Sequence, residues 1–300
     1  MDILSLITSS LAQGLLWSLL AIGVFLTYRI LDVADLTAEG SYPLGAGIAA
    51  INIVNGTPPL LACVYAFIGG AAAGVITGLL HTKLKIPALL AGIITMTGLY
   101  SVTQRVMGAA NIALLGQDNI FNFFQEILGT KQLSIIVTGA IIVLVVVILL
   151  VLFFKTEIGL AMRSTGDNIE MSQANGINTD NMKLIGYALS NGCIALSGSL
   201  LAQNNNFADL NSGTGTIVIG LASIIIAEVI FRNQPLLIRL LTIVLGASIY
   251  RFILALVFTT NVQASDSKLA SAIVLTICLA LPEVRKKLGL SKKAPKKGAA

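Results

Sequence analysis

Long apolar stretches separated by short polar segments make up most of the chain. Five stretches of about 20 residues have the length and composition of a membrane-spanning helix, and they cover residues 3–28, 59–80, 86–104, 135–154 and 184–208. Three further stretches run into charges, contain them or are short, and these cover residues 211–227, 234–259 and 269–281. A Gly-rich stretch over residues 41–54 fits either a short span or a re-entrant half-helix. The pattern predicts an all-α polytopic membrane helix bundle of about 8–10 segments with half-helices, in one domain over residues 1–300.

Composition supports a membrane protein. Hydrophobic residues make up 56% and charged residues 11% of the 300 positions, whereas about 25% of a soluble domain is charged. The three cysteines lie in apolar stretches without the spacing of metal ligands, so we expect buried thiols and no bound metal or cofactor. The dipeptide Gly-Lys, which a phosphate-binding loop requires, is absent. We therefore expect neither an ATP site nor an enzymatic activity in this chain.

Basic residues cluster at the C-terminal end and on alternate connecting segments. Seven of the 19 lysines and arginines lie in the tail over residues 283–300. Loops rich in Lys and Arg face the cytoplasm, which predicts a multi-pass protein of the cell membrane with its N-terminus outside and its C-terminus in the cytoplasm. The tail also explains the net charge of +5, because a basic tail after an apolar segment binds the anionic face of a lipid bilayer. We expect no nucleic-acid partner.

A polar segment over residues 155–180 falls on the predicted cytoplasmic side. Asp167 or Asn168 is a suitable N-cap for a short helix that Gly176 can end. Thr179 can cap the next span. The sequence therefore predicts two short helices with sharp corners between long spans. An amphipathic connector on lipid headgroups is the alternative, but it would need more basic residues than the segment has, whereas small rigid helices suit the groove of an intracellular partner.

The same segment carries a motif. It contains the run EIGLAMRSTGDN over residues 157–168, followed by ANGI over residues 174–177. These runs resemble the coupling loop of the permeases of branched-chain amino acid and ribose-type ABC importers. Ser164 and Ser172 stand where that family often has Ala, which is a small-for-small difference. The run DLTAEGSYPLG over residues 35–45 resembles the Gly-rich turn after the family's first span.

The resemblance implies a function and partners. It implies the membrane-spanning permease subunit of an ATP-driven importer, which works with a pair of ABC ATPase subunits, an extracellular or periplasmic solute-binding protein and a second permease copy. ATP-Mg would bind the ATPase partner. The run DLTAEGS over residues 35–41 resembles a subgroup for aromatic amino acids. The implied solute is therefore an aromatic or branched-chain amino acid, with a sugar or nucleoside as the alternative. The implied ATPase-coupling residues are Glu157, Gly159, Arg163, Thr165, Gly166, Asp167, Asn168 and Gly176.

Polar residues within the apolar stretches are candidates for the translocation pathway, because polar groups are costly in lipid. Helix–helix hydrogen bonding is the alternative explanation for the uncharged ones. The candidates are Thr37, Glu39, Ser41, Ser190 and Asn191. Asp35 lies four residues before Glu39 and is interpreted as a solvated cap.

Three other charged residues in or beside apolar stretches are interpreted as structural pairs. Glu228 and Arg232 are four residues apart and can pair at the inner end of a helix. Arg251 is expected in the outer half of its span, where its alternatives are snorkelling to the interface or facing the pathway.

Two other classes of protein share this composition. An ion-coupled secondary transporter of a small solute could use Glu39 and Glu228 for ions, but it would not need the loop motif. An intramembrane serine protease requires a Ser–His pair at membrane depth, and His81, the single histidine, lies at a predicted span boundary.

Overall fold

Helices account for nearly all of the chain that the structure describes. The structure is a computed structural model, and it describes residues 3–231, residues 234–259 and, beyond these, positions 269, 272, 273, 275, 276 and 280. Most of the predicted span over residues 269–281, the basic tail and Arg232 lie outside the described residues.

Eleven α-helices and two short strands follow one another in the described chain. The helices are α1 (Ile3–Phe25), α2 (Ala38–Val54), α3 (Pro59–Thr82), α4 (Ala88–Met107), α5 (Asn122–Leu128), α6 (Lys131–Lys155), α7 (Glu157–Asp167), α8 (Ile169–Ala174), α9 (Thr179–Asn205), α10 (Thr216–Ile230) and α11 (Leu236–Phe258). The strands are β1 (Asn111–Ala113) and β2 (Phe207–Asp209). A π-helical turn over Leu26–Ile30 continues α1.

The helices follow the apolar pattern of the sequence. Those long and apolar enough to cross a membrane are Ser5–Ile30, Pro59–Thr82, Lys131–Lys155, Thr179–Asn205 and Leu236–Val257. The helices α2, α4 and α10 are shorter or more polar and correspond to the predicted stretches over residues 41–54, 86–104 and 211–227. The predicted all-α polytopic bundle is confirmed.

The helix α9 lies at the centre of the bundle and packs against α1, α2 and α3. Glycines allow the close approach, because a Cβ at Gly45 of α2 would meet the backbone of Ala195. A Cβ at Gly74 of α3 would likewise meet the carbonyl of Tyr187. Small residues at such crossings let helix backbones come close together in a membrane, where packing replaces the hydrophobic effect as the driving force.

The helix α10 begins inside the bundle. A Cβ at Gly213, just before α10, would meet the carbonyl of Glu39 at the start of α2. From Pro43, one turn after Glu39, α2 runs on to Val54 over about 16 Å. With a length of 15 residues, α10 is shorter than the ~20 residues that a full span needs. It therefore has the form of a half-helix.

One local prediction differs from the structure, and one local element was not predicted. The N-cap of α9 is Asn178, whose side chain accepts the Asn181 amide hydrogen, and Thr179 is the first helical residue; Asn is a better cap than Thr. The antiparallel pairing of β1 with β2, which matches Ile112 with Ala208, was not predicted, because a strand of three residues is too short for a periodic signal.

Candidate functional site

The two short helices of the polar segment, α7 and α8, form an elbow between α6 and α9. Thr156 caps α7 and accepts a hydrogen bond from the Gly159 amide at 3.3 Å. Asn168 ends α7 and caps α8, accepting from the Met171 amide at 2.9 Å. Gly176 follows α8 with a φ of 78°, a left-handed conformation that favours glycine. The predicted pair of capped short helices, with Asn168 as the cap at the corner, is confirmed.

Two glycines of α7 allow the elbow to pack closely against the bundle. A Cβ at Gly159 would meet the carbonyl of Phe153 and the backbone of Phe154, at the end of α6. A Cβ at Gly166 would meet the carbonyl of Ile30, in the π-helical turn after α1. Thr165 also faces inward and donates to the Ala161 carbonyl at 2.8 Å. The helix α7 therefore packs closely against the end of α6 and against the turn that follows α1.

The corner of the elbow carries a hydrogen bond between α7 and α8. The Ser164 and Ser172 hydroxyls lie 2.7 Å apart, and Ser172 is fully buried. These are the two positions at which the sequence departs from the motif that it resembles. The two departures contact one another, so the second hydroxyl satisfies the first.

The other side of the elbow is exposed. Glu157, Arg163, Asp167 and Asn168 all lie on it. Within the described residues no ion pair joins Arg163 to Asp167, so both charges are available to another molecule. Apolar side chains lie beside them, and Met171 is 55% exposed. Four of the eight predicted coupling residues are thus exposed. Of the other four, Gly159, Thr165 and Gly166 face the bundle, and Gly176 forms the turn after α8.

Three of the predicted pathway residues belong to a polar network inside the bundle, and Ser190 forms a separate contact. Ser41 donates to the Asn191 side-chain oxygen at 2.7 Å, and Asn191 donates to the Asp35 carboxylate at 2.8 Å. Asp35 also accepts the Thr37 amide at 2.9 Å. Asp35 therefore accepts a backbone amide at the start of α2, as a cap does, but it is more than the solvated cap that its position suggested, since it also joins this end of α2 to α9. Ser190 donates separately to the Gly23 carbonyl at 2.7 Å.

Glu39, the fifth pathway candidate, faces a cavity of about 330 Å³. The cavity lies between the start of α2, one face of α4 and residues 210–214, and Thr97, Tyr100 and Asn211 also line it. One Glu39 carboxylate oxygen accepts the Gly215 amide at 3.0 Å, at the N-terminus of α10, where a helix dipole stabilises negative charge. The cavity thus combines a fixed carboxylate with hydroxyl and amide groups.

The structure reveals one charged cluster that the sequence did not indicate. Glu228, near the end of α10, contacts Arg29 at 2.5 Å and Arg239 at 2.6 Å. Arg239 also lies over the ring of Phe25, 4.9 Å from its centroid. The predicted partner of Glu228, Arg232, lies outside the described residues. The helix spacing of four suggested that partner, whereas the observed partners come from other elements.

Metal-binding groups are not apparent in the described part of the chain. No three His, Cys, Asp or Glu side chains are grouped there so that they could hold a metal ion. Cys63 and Cys193 are free thiols and buried, as predicted. The ring nitrogen Nδ1 of His81 lies 3.0 Å from the Ile86 carbonyl, at the turn after α3.

Comparisons with known proteins match nearly the whole chain. A family model described as "Branched-chain amino acid transport system / permease component" matches residues 6–281. A tyrosine transport system permease protein of Clostridioides difficile (strain R20291) is 41% identical over 274 residues, which cover 91% of this chain and 90% of that protein. The autoinducer 2 import system permease protein LsrC of Yersinia enterocolitica is 30% identical over 216 residues, covering 70% of this chain and 57% of that protein.

The fold is similar to that of a solved structure. PsaBC from Streptococcus pneumoniae in complex with Fab superimposes with a TM-score of 0.52, covering 96% of this chain and 94% of that chain. The sequences are 17% identical, so this likeness concerns the fold alone.

Proposed function

Because this chain belongs to the family of permease components of branched-chain amino acid transport systems, we propose that it forms the membrane pathway of an amino-acid importer driven by separate ATPase subunits. The chain is a transport subunit. ATP-Mg is bound and hydrolysed by the ATPase pair, and this chain receives the resulting movement.

The elbow of α7 and α8 is the observation that carries the ATP-driven mechanism. Its inner face has glycines against the ends of α1 and α6, whereas its outer face presents charges next to exposed apolar side chains. Such a mixed patch suits a groove on another protein. Closure of the ATPase pair pushes the elbow, and the glycine contacts transmit that displacement to the membrane helices.

The proposed solute is an amino acid of the aromatic or branched-chain class. The relative named for tyrosine transport supports this class. The cavity beside Glu39 supports it independently, because a carboxylate can bind the ammonium group of an amino acid. Met96 and Tyr100 on the opposite wall offer apolar contact to its side chain. A sugar or nucleoside, the alternative solute, has no ammonium group for Glu39.

A second copy of the chain completes the pathway in this proposal. The second half of α4 exposes Thr97, Tyr100, Ser101 and Gln104, which recur at helical spacing on one side, whereas the first half exposes apolar residues such as Leu90 and Ile94. Between Leu133 and Leu152 the exposed residues of α6 are instead all apolar, with Leu144, Ile148 and Leu152 among them, as lipid contact requires. The polar face of α4 therefore lines an aqueous pathway between two copies, and a solute-binding protein delivers the amino acid at the end opposite the elbow.

Substitution of an exposed elbow residue tests the ATPase joint. Met171→Glu places a charge where an apolar side chain enters the ATPase groove, and we expect about a tenfold loss of ATPase subunits retained on the tagged permease. ATP-dependent uptake of labelled tyrosine into proteoliposomes should fall in parallel. The control is Ile127→Glu in α5, at a residue that is 66% exposed and lies at the other end of the bundle, and it should leave both quantities unchanged.

Two outcomes would contradict the proposal. Normal retention and uptake with Met171→Glu would mean that the elbow is not the joint. Uptake by the permease alone, driven by an ion gradient, would favour the secondary transporter.

In the same assay Glu39→Gln keeps the acceptor for Gly215 but loses the charge, and we expect about a tenfold higher half-saturating tyrosine concentration.

A further inference from the structure

A second and larger cavity lies away from the Glu39 cavity. It has a volume of about 560 Å³ and is formed by the beginnings of α1 and α6 and the end of α11. Its polar lining residues are Ser5, Ser9, Ser10, Gln13, Gln132 and Arg251. The proposed transport function uses none of them, so the cavity needs its own explanation.

The helix α1 contributes a polar stripe to this cavity. Ser5, Ser9 and Gln13 are spaced four residues apart, which places them on one face of the helix, and they extend over about 12 Å. Ser5 and Thr259 at the rim are exposed. The stripe therefore forms a polar path from the end of the helix bundle to the depth of Arg251.

Arg251 stands at the inner end of that path without an anionic partner in the described chain. Its guanidinium lies over the ring of Trp17, 5.4 Å from the centroid. Arg239 also lies over an aromatic ring but contacts Glu228 as well, whereas among the described residues no carboxylate lies within ion-pair distance of Arg251. A cation at membrane depth is costly unless it is paired.

A hydroxyl group in the same cavity also lacks a partner. The Ser10 hydroxyl is buried and makes no hydrogen bond, and Ser10 is one of the residues that line the cavity. A buried hydroxyl that lacks a hydrogen-bond partner destabilises the folded protein. An anion with several oxygens could accept hydrogen bonds from both Arg251 and Ser10.

The surroundings of the cavity indicate the source of that anion. The neighbouring outer surfaces of α1 and α11 are apolar and exposed, with Ile7, Leu11 and Leu256 among their residues. Acyl chains cover such surfaces in a membrane. A phospholipid can therefore lay its chains on these surfaces and insert its phosphate along the polar stripe. The other cavity, in contrast, is lined by the Glu39 carboxylate, which repels a phosphate.

We infer that the cavity between α1, α6 and α11 is a phospholipid site in which Arg251 and Ser10 bind the headgroup phosphate. The single positive charge favours a lipid with one net negative charge, such as phosphatidylglycerol, over zwitterionic phosphatidylcholine, by about fivefold.

Trp17 provides a direct test, because it is the single tryptophan of the chain and contacts Arg251. The full-length protein is reconstituted in mixtures of ordinary lipid with brominated phosphatidylglycerol or brominated phosphatidylcholine, and quenching of Trp17 emission is measured. We expect about fivefold stronger apparent binding of the brominated phosphatidylglycerol. Arg251→Gln should reduce the preference to about one, and Arg251→Lys should keep most of it.

Two further variants make the test specific. Ser9→Leu fills the polar path without touching the charge and should also abolish the preference. Arg105→Gln removes an exposed arginine of α4 and should leave the preference unchanged. Circular dichroism and size-exclusion chromatography establish that each variant has kept its fold.

Three results would overturn the inference. The first is equal quenching by the two lipids in the unmodified protein. The second is a preference that survives Arg251→Gln. The third is relief of quenching by added leucine, because the cavity would then bind the carboxylate of the transported amino acid.

Discussion

At the scale of single residues, the corner of the elbow is the feature that the structure explains best. Ser164 of α7 and Ser172 of α8 replace two small apolar residues of the related motif and contact one another at 2.7 Å. Ser172 is fully buried, so its hydroxyl depends on that one side-chain partner. A paired departure of this kind conserves packing volume and satisfies both polar groups.

A double-mutant cycle tests this pair. Ser164→Ala and Ser172→Ala alone each leave one hydroxyl unpaired, and each should lower the free energy of unfolding by about 1 kcal/mol. The double variant should be less destabilised than the sum of the two, with a coupling energy of about 0.5–1 kcal/mol. Thermal unfolding of the detergent-solubilised protein measures all four. Strict additivity would mean that the two hydroxyls do not interact in solution.

At the scale of elements, α10 is held at both ends by residues from elsewhere in the chain. Glu39 of α2 accepts the Gly215 amide at its N-terminus. Glu228 near its C-terminus contacts Arg29 through two hydrogen bonds, at 2.8 and 2.5 Å. Arg29 lies in the π-helical turn that Gly166 of the elbow contacts through Ile30. A continuous set of contacts therefore joins the elbow to α10 and to the cavity beside Glu39.

Replacement of Arg29 tests this connection. Arg29→Lys keeps the charge but cannot make the two-pronged contact, and because the pair is partly exposed the loss of stability should be about 1 kcal/mol or less. ATP-dependent uptake should fall more than that loss of stability explains, since the link between the elbow and α10 is weakened. Uptake and thermal midpoint are measured together.

The matched control for Arg29→Lys is a variant that removes a different ion pair. Lys85 contacts Asp180 at 3.6 Å on the surface, and Lys85→Gln should leave uptake unchanged. If Arg29→Lys transports at the normal rate, α10 does not receive movement through Arg29.

At the scale of the whole molecule, α6 separates two exposed segments. It is 25 residues long, which corresponds to about 37 Å, and it joins α5 at one end of the bundle to the elbow at the other. The distribution of basic residues predicts that the elbow lies in the cytoplasm and α5 outside.

Cysteine labelling tests that orientation. In a background without the native cysteines, Glu126→Cys in α5 should react with a membrane-impermeant maleimide in intact cells. Gln173→Cys in α8 should react only after the cells are permeabilised. Both positions are exposed, so access to the reagent decides the result. The reverse pattern would invert the predicted topology.

Local and compositional signals were enough to predict much of this molecule. Apolar length predicted most of the membrane helices, because lipid requires about 20 apolar residues for each crossing. The exceptions are α4, which is not among the helices apolar enough to cross, and α11, which is, despite its two arginines. Caps were also predictable, since Asn168 and Gly176 act on backbone groups within four residues of themselves. The coupling motif was recognisable for the same reason, as its residues are consecutive.

Only the tertiary structure decided how the polar groups are paired. Asp35 and Asn191 are 156 positions apart in the chain, Glu39 and Gly215 are 176 apart, and Arg29 and Glu228 are 199 apart. No periodicity links residues at such separations. Helices that are apolar on most faces can be packed in many ways, and it is the packing of glycines against particular backbones that brings these side chains together. The sequence therefore determined the membrane helices and the elbow, whereas the network around Asp35, the Glu39 cavity and the site of Arg251 follow from the packing.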